Sequence, residues 1–283
     1  YGAASRSSAG HAIFMSFRDY FYGLQSAGSD DIGMFMVNES LGSFSFGGPG
    51  QEIPCPGGVI WDADGKLYFG GQFQQTIDFG IYDPDIFTYV ATNITSVGIS
   101  DVFLAAYGAA DQTFLWVRSI GGAESNIMQS FALDHNTNVV IGGAFRGEME
   151  MDGIDNSHII TSTSTNGGMD GFVASYDQKG KFLWAQRIGS EEANTGTVAI
   201  TSLAVDSQNR MTLGGHFGKD VHVDFSNAAV VSITNRGDYD IMIIQLDQQG
   251  LPAGPPITTM LDHENGERSL SIATRAGVNL RIE

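Results

Sequence analysis

A Gly-Gly-x-Phe tetrapeptide returns on a fixed beat through this chain, at Gly70-Gly71-Gln72-Phe73, Gly142-Gly143-Ala144-Phe145 and Gly214-Gly215-His216-Phe217. The spacing is 72 residues both times. Asp62, Asp134 and Asp206 each stand eight residues ahead of a glycine pair. Each closes a short apolar run: Val59-Ile60-Trp61, Phe131-Ala132-Leu133 and Leu203-Ala204-Val205. Two markers locked to one period confine the chain to an architecture of repeated supersecondary units, each too small to bury its own apolar face and stacked on its neighbours to do so.

Composition agrees with short strands and tight turns. Hydrophobic residues make up 42% of the 283, charged residues 16%, and there are 37 glycines, a mixture that fits an all-β domain better than helices or disorder. The formal charge of -18 repels phosphate backbones, so nucleic acid is excluded as an expected partner. Cys55 is the single cysteine; it cannot form an internal disulfide, and no paired-cysteine zinc spacing exists. No apolar run reaches the roughly 18 residues of a membrane-spanning helix. The chain opens at Tyr1 without an initiator Met, which fits a mature or excised product.

Measured against the repeat, each unit begins with an aspartate leading an apolar strand, at Asp31, Asp101, Asp170 and Asp240. These are 70, 69 and 70 residues apart, which gives four copies. Their strands, such as Asp170-Gly171-Phe172-Val173-Ala174-Ser175-Tyr176, are apolar at consecutive positions, as strands covered on both faces must be. A turn and a second strand follow, with tryptophan in two copies, Trp116 and Trp184. In the fourth copy, Pro252 and Pro255-Pro256 remove ladder donors, so an irregular strand is expected there. The third strand ends at the marker aspartate and the fourth runs into the glycine pair.

The expected units are therefore 31–100, 101–169, 170–239, and 240–283 completed by 1–30, in a single domain covering 1–283. Aligning Ser202-Leu203-Ala204-Val205 with Ser269-Leu270-Ser271-Ile272 gives an offset of 67, and three units of 72 with one of 67 account for all 283 residues. The expectation is a β-propeller of four repeats of about 72 residues, its last blade closed by pairing the N- and C-terminal segments, since closure removes exposed edges.

Asp170-Gly171-Phe172-Val173-Ala174-Ser175-Tyr176-Asp177, Leu183-Trp184, Ala204-Val205-Asp206, Gly214-Gly215-His216-Phe217 and Val223-Asp224-Phe225, with Ile120-Gly121-Gly122, follow one recognisable pattern. The chain resembles the seven-bladed β-propeller repeat family abbreviated SBBP over most of residues 31 to 250. The resemblance implies a propeller fold and a secreted or cell-surface setting, and it brings no catalytic residues. Four units stand where the family name implies seven.

A small set of residues is chemically suggestive in type and spacing. Asp62, Asp134 and Asp206 are expected to cap their turns through side-chain bonds to backbone N–H groups; only Asp62, with Asp64 beside it, offers the beginning of a Ca²⁺ loop, which needs about six oxygens. Asp31, Asp101, Asp170 and Asp240 are expected to tie neighbouring units together, the alternative being a ring of carboxylates around a channel. Trp116 and Trp184 are read as packing between units, or else as faces for stacking on a saccharide. His216 and His222 lack a third metal ligand. Asn38 and Asn93 head sequons that a eukaryotic secretory pathway would glycosylate. Arg236-Gly237-Asp238 falls in a short turn where polar residues and glycine are expected anyway.

The expected function is a non-enzymatic structural or interaction module, extracellular or at the cell surface, with no cofactor. Its partner is another protein or further copies of itself in an extracellular assembly. The alternative is a glycan-binding, lectin-like propeller. An enzymatic reading would need catalytic partners beside a strand-start aspartate, and only Tyr239 next to Asp240 is suggestive.

Overall fold

The computed structural model describes the side chains of residues 31–32, 46–79, 92–108, 113–152, 157–190, 195–222, 232–235 and 238–253, with the backbone of further strands between residues 2 and 282. The described residues are β-strands and turns with no helix. Five larger sheets follow one another along the chain. Sheet I joins Gly2–Ser7, Gly10–Phe17, Asp31–Val37 and Gly42–Phe46. Sheet II joins Glu52–Trp61, Lys66–Phe73, Asp101–Gly108 and Thr113–Ile120. Sheet III joins Asn126–Leu133, Val139–Phe145, Asp170–Tyr176 and Phe182–Ile188. Sheet IV has three strands, Val198–Val205, Met211–Phe217 and Asp240–Leu246, and sheet V has Thr259–Asp262, Ser269–Ala273 and Asn279–Ile282. All are antiparallel meanders in chain order.

Two expectations are corrected by this layout. The sheets straddle the sequence units: sheet II takes its first two strands from residues 31–100 and its last two from 101–169. The strand-start aspartate thus lies in the middle of a sheet, where its strand pairs with the glycine-pair strand; Asp101 faces Phe73 and Asp170 faces Phe145. The two ends of the chain, expected to close a ring by pairing, do not pair among the described strands. Gly2–Ser7 pairs with Gly10–Phe17 and Asn279–Ile282 with Ser269–Ala273. The opening residues instead supply two strands of sheet I.

Between the second and third strands of each of sheets II, III and IV the chain builds a small hairpin. These pair Thr76–Asp78 with Asn93–Thr95, Glu148–Glu150 with Ile159–Thr161, and Val221–Asp224 with Val230–Ile233. Each plugs apolar side chains into the core: Ile77, Met149, and Val221 with Ile233.

The core lies between sheets. Asp101–Gly108 shows how: Phe103, Ala105 and Tyr107 join the cluster shared with sheet I, while Val102, Leu104 and Ala106 join the cluster shared with sheet III. Phe172, Ala174 and Tyr176 face back toward sheet II, and Val173 faces forward to sheet IV. Period-two alternation with apolar residues on both faces is what a strand between two sheets requires. Each fully buried Phe, Leu or Val contributes about 1.5–3 kcal/mol, so the interfaces between sheets, rather than any single sheet, hold the fold.

In sheet III the glycine pair sits opposite a bulge in the first strand, where the register slips between Met128 and Ser130. A Cβ on Gly143 would lie 1.9 Å from the Ile127 carbonyl oxygen, closer than any side chain tolerates. The space beside Gly142 admits the Ser130 hydroxyl, which donates across the interface to the Ile200 carbonyl at 3.2 Å. Sheet IV repeats the arrangement, with a slip between Ile200 and Ser202. In sheet IV the irregularity expected from the prolines takes the form of a Leu246–Pro252 bridge in place of a regular fourth strand among the described residues.

Candidate functional site

The marker aspartates are turn caps. Asp134 Oδ1 accepts the N–H groups of Asn136 and Asn138 at 2.8 Å each, and Oδ2 accepts the Asn138 amide at 2.9 Å. Asp62 Oδ1 accepts from the N–H groups of Asp64 and Lys66, at 2.9 and 2.8 Å, and its Oδ2 accepts the Tyr68 hydroxyl at 3.2 Å. Asp206 Oδ1 accepts from Gln208 and Arg210, and the Arg210 guanidinium on Oδ2 holds this carboxyl below its ordinary range. Asp177 and Asp247 make the same turn. Both Asp62 oxygens are thus engaged by protein donors, and the described residues hold no group of three or more metal-ligating side chains; His216 and His222 do not converge with a third.

Trp116 and Trp184 join one sheet to the next. The Trp116 indole N–H donates to the Gln178 carbonyl at 3.0 Å and that of Trp184 to the Gln248 carbonyl at 2.9 Å. Each ring lies against the glycine of the neighbouring aspartate turn, Gly180 or Gly250.

The strand-start aspartates are all buried: Asp31, Asp101, Asp170 and Asp240 are at most 6% exposed. Room for them comes from a glycine at the end of the sheet's last strand. A Cβ on Gly121 would fall 2.2 Å from Asp101 Oδ1, and Gly47 and Gly189 stand in the same relation to Asp31 and Asp170. These glycines also bond the small hairpin of the next sheet. Gly121 N–H donates to the Glu150 carbonyl at 3.1 Å and accepts the Glu150 N–H at 2.8 Å. Gly47 pairs in the same way with Asp78, and Gly189 accepts from His222. Aspartate, glycine and hairpin therefore form one recurring junction between successive sheets.

At Asp170 the junction is filled with positive charge. Lys219, from the next sheet, donates to Oδ1 at 2.6 Å, and Arg187 donates to Oδ2 at 2.9 Å. Ser164 adds its hydroxyl and Thr163 its N–H. Burial raises the affinity of this carboxyl for a proton, but the bond to Lys219 and its charge outweigh it, and Asp170 ends below its ordinary value. Lys219 also donates to the Ser164 hydroxyl. Lys219 thereby ties the chain after Phe217 to Asp170 and Ser164.

At Asp101 the same junction has no cation among the described residues. Phe103 pairs with Ser119 where Phe172 pairs with Arg187, so Ser119 stands in the arginine's place. Gly147, two residues after Phe145, stands where Lys219 follows Phe217. Asp101 keeps only dipolar partners: the Val97 N–H at 2.8 Å, the Asn126 amide at 3.3 Å and the Gly122 N–H. Burial dominates these bonds and pushes the carboxyl up. The space left open is a cleft of about 410 Å³ lined by Val97, Asp101, Ser119, Glu148, Glu150 and Ile159, among others. Glu150 Oε1 accepts the Asp152 N–H, whereas its Oε2 is buried without a hydrogen-bond partner. Val97 and Ile159, at 78% and 44% exposure, form an apolar lip.

The remaining candidates are dispersed. Asn93 is exposed, at the start of a hairpin strand; Asn38 and the Arg236-Gly237 pair lie outside the described residues. Tyr239 is exposed and packs edge to face on His216, with centroids 5.5 Å apart. Cys55 is buried and its thiol is pushed up to about 12, which makes it a poor nucleophile. Reading for repeated residues passed over Lys219 and Arg187, because neither repeats. Their signal was a departure from the period, basic residues at positions that carry Gly147 and Ser119 one unit earlier.

No family model matches this chain. It is 22% identical over 186 residues to an uncharacterized WD repeat-containing protein, L264, of Acanthamoeba polyphaga mimivirus; the match takes in 64% of this chain and 13% of that protein, so the chain spans about an eighth of its relative's length. Among solved structures, the rhamnogalacturonan lyase YesW aligns over 98% of this chain and 67% of its own, at 14% identity and a TM-score of 0.25, a level that carries no argument. The weak repeat-protein match and the antiparallel sheets agree on a β-rich, propeller-like repeat fold.

Proposed function

We propose that this chain is a propeller-type interaction module of the SBBP kind, displayed outside the cell, that binds a protein partner through clefts between successive small hairpins. The observation that carries this reading is the cleft at Asp101, where an apolar lip and an acidic floor meet at the junction of sheets II and III. The similarity to a WD repeat-containing protein supports it, because WD repeats build propeller blades of four antiparallel strands. The junction residues themselves are consumed in holding sheet to sheet, which leaves the hairpins and their clefts as the variable, solvent-facing part of each unit. The acidic surface favours a basic partner.

Selection of a random-peptide display library on the intact chain tests the reading, with the Val97→Ser/Ile159→Ser double variant as counter-screen. Binders that lose affinity for the double variant support it. Binders indifferent to those substitutions, or recognition confined to saccharides, would overturn it.

A further inference from the structure

We propose that the cleft at Asp101 receives a lysine side chain of the partner polypeptide, whose ammonium takes the place against Asp101 and Glu150 that Lys219 takes against Asp170. The inference rests on the reading of the chain as a protein-binding module and names what that module selects.

Two observations beyond the acidic character of the cleft point to this ligand. The first is internal to the repeat. Asp101 and Asp170 occupy equivalent places, each facing the phenylalanine of the glycine-pair strand and each seated against the glycine that ends its own sheet's last strand. In one copy the carboxylate is met by an ammonium at 2.6 Å and a guanidinium at 2.9 Å. In the other, serine and glycine occupy the positions of those cations, and Ser119 lines a cleft beside the buried carboxylate. The second is an unsatisfied demand. Asp101 is completely buried, with no cation within ion-pair distance among the described residues, and Glu150 Oε2 is buried and without a hydrogen-bond partner. A buried carboxylate held only by dipoles bears a desolvation cost that a paired charge offsets, and a buried acceptor without a donor is similarly costly.

The shape of the cleft selects among cations. A bare metal ion would need more ligands than are gathered, since the described residues include no three-ligand group. A lysine carries its charge at the end of an apolar stem, which suits an acidic floor beneath a lip of Val97 and Ile159.

The test uses the intact chain and the peptides selected on it. Lysine should be enriched at one position of those peptides, and its replacement by norleucine should weaken binding at least about tenfold. A Ser119→Arg variant, which grafts the guanidinium of the sister junction onto this one, should fold, melt at or above the temperature of the parent, and bind the lysine peptides at least about tenfold more weakly. Peptides that bind through Val97 and Ile159 but lack lysine, or that bind Ser119→Arg unchanged, would overturn the lysine proposal while leaving the module reading intact. Protection by Ca²⁺ or Mg²⁺ alone, seen as competition with the peptide at micromolar ion, would overturn it in favour of a metal site. Failure to select any peptide through this cleft would overturn both.

Discussion

Replacement of Lys219 by Met isolates the energetics of the junction. Lys219 is 7% exposed and Asp170 fully buried, so the 2.6 Å bond between them is sheltered from water on both sides. Breaking a buried ion pair by removing one partner costs about 3–5 kcal/mol, because the remaining charge is stranded. Arg187 remains on Oδ2, with Thr163 and Ser164 still donating, which places Lys219→Met near the lower bound, about 3 kcal/mol at neutral pH. At roughly 2–4 °C per kcal/mol for a chain of this size, the melting temperature should fall by about 6–12 °C.

The pH dependence supplies a sharper check. Asp170 is held below its ordinary carboxyl value in the native chain. Its contribution is therefore fully present above the unfolded value of 3.8 and is lost as pH falls through the lower native one. Without Lys219, burial acts against a weaker counter-charge, so the cost of the substitution should be greatest at pH 7 and shrink below about pH 4 as the carboxyl takes a proton. Urea unfolding of parent, Lys219→Met and Asp170→Asn/Lys219→Met at pH 7 and pH 3.5 measures this, and the double variant should recover part of the loss. A cost below about 0.5 kcal/mol at pH 7, or one equal at both pH values, would refute the account of Asp170.

Four further outcomes follow from the same geometry. Gly121→Ala drives a methyl into Asp101 at 2.2 Å; overpacking of this kind should cost about 3 kcal/mol in urea unfolding. Trp184→Phe removes the indole N–H from the Gln248 carbonyl and should cost about 1–2 kcal/mol, read from the thermal midpoint, with the fold retained by circular dichroism. Asp134→Ala, which unmakes three bonds in its turn, should cost about 1–3 kcal/mol, whereas a chelator should leave the melting temperature of the parent unchanged, a shift on chelation being evidence that the aspartate turns hold metal.

The sequence made the period, the all-β class and the turn role of Asp62, Asp134 and Asp206 legible, because each rests on local chemistry: a carboxylate two and four residues ahead of free N–H groups makes the same turn wherever it occurs. Doubly apolar strands such as Asp101–Gly108 likewise announce that both faces are covered. The grouping of strands into sheets was not legible, since a period of 72 has no intrinsic starting point. Only the pairing of Asp101–Gly108 with Lys66–Phe73 shows that the sheet begins half a unit earlier. The expected join between the chain's ends failed for the same reason: counting residues to a whole number of units says nothing about which strands already have partners. The Asp101 cleft was illegible because it is made by contact across sheets between Ser119, Glu150 and a glycine loop that no spacing rule connects.

That contrast bears on how a repeat protein acquires a specific activity. A residue that recurs at every unit is fixed by the contact that every unit must make, and here Asp and Gly recur because they hold one sheet to the next, as Trp does in two copies. A binding site drawn from those residues would weaken the stack with each change that tuned it. The junctions at Asp101 and Asp170 show the way around this constraint. The carboxylate and its glycine stay fixed while the cations that satisfy them do not: Ser119 and Gly147 stand at Asp101 where Arg187 and Lys219 stand at Asp170. On the proposed reading, specificity resides where a unit departs from the period, and a partner that supplies the missing cation offsets the desolvation cost of the carboxylate there.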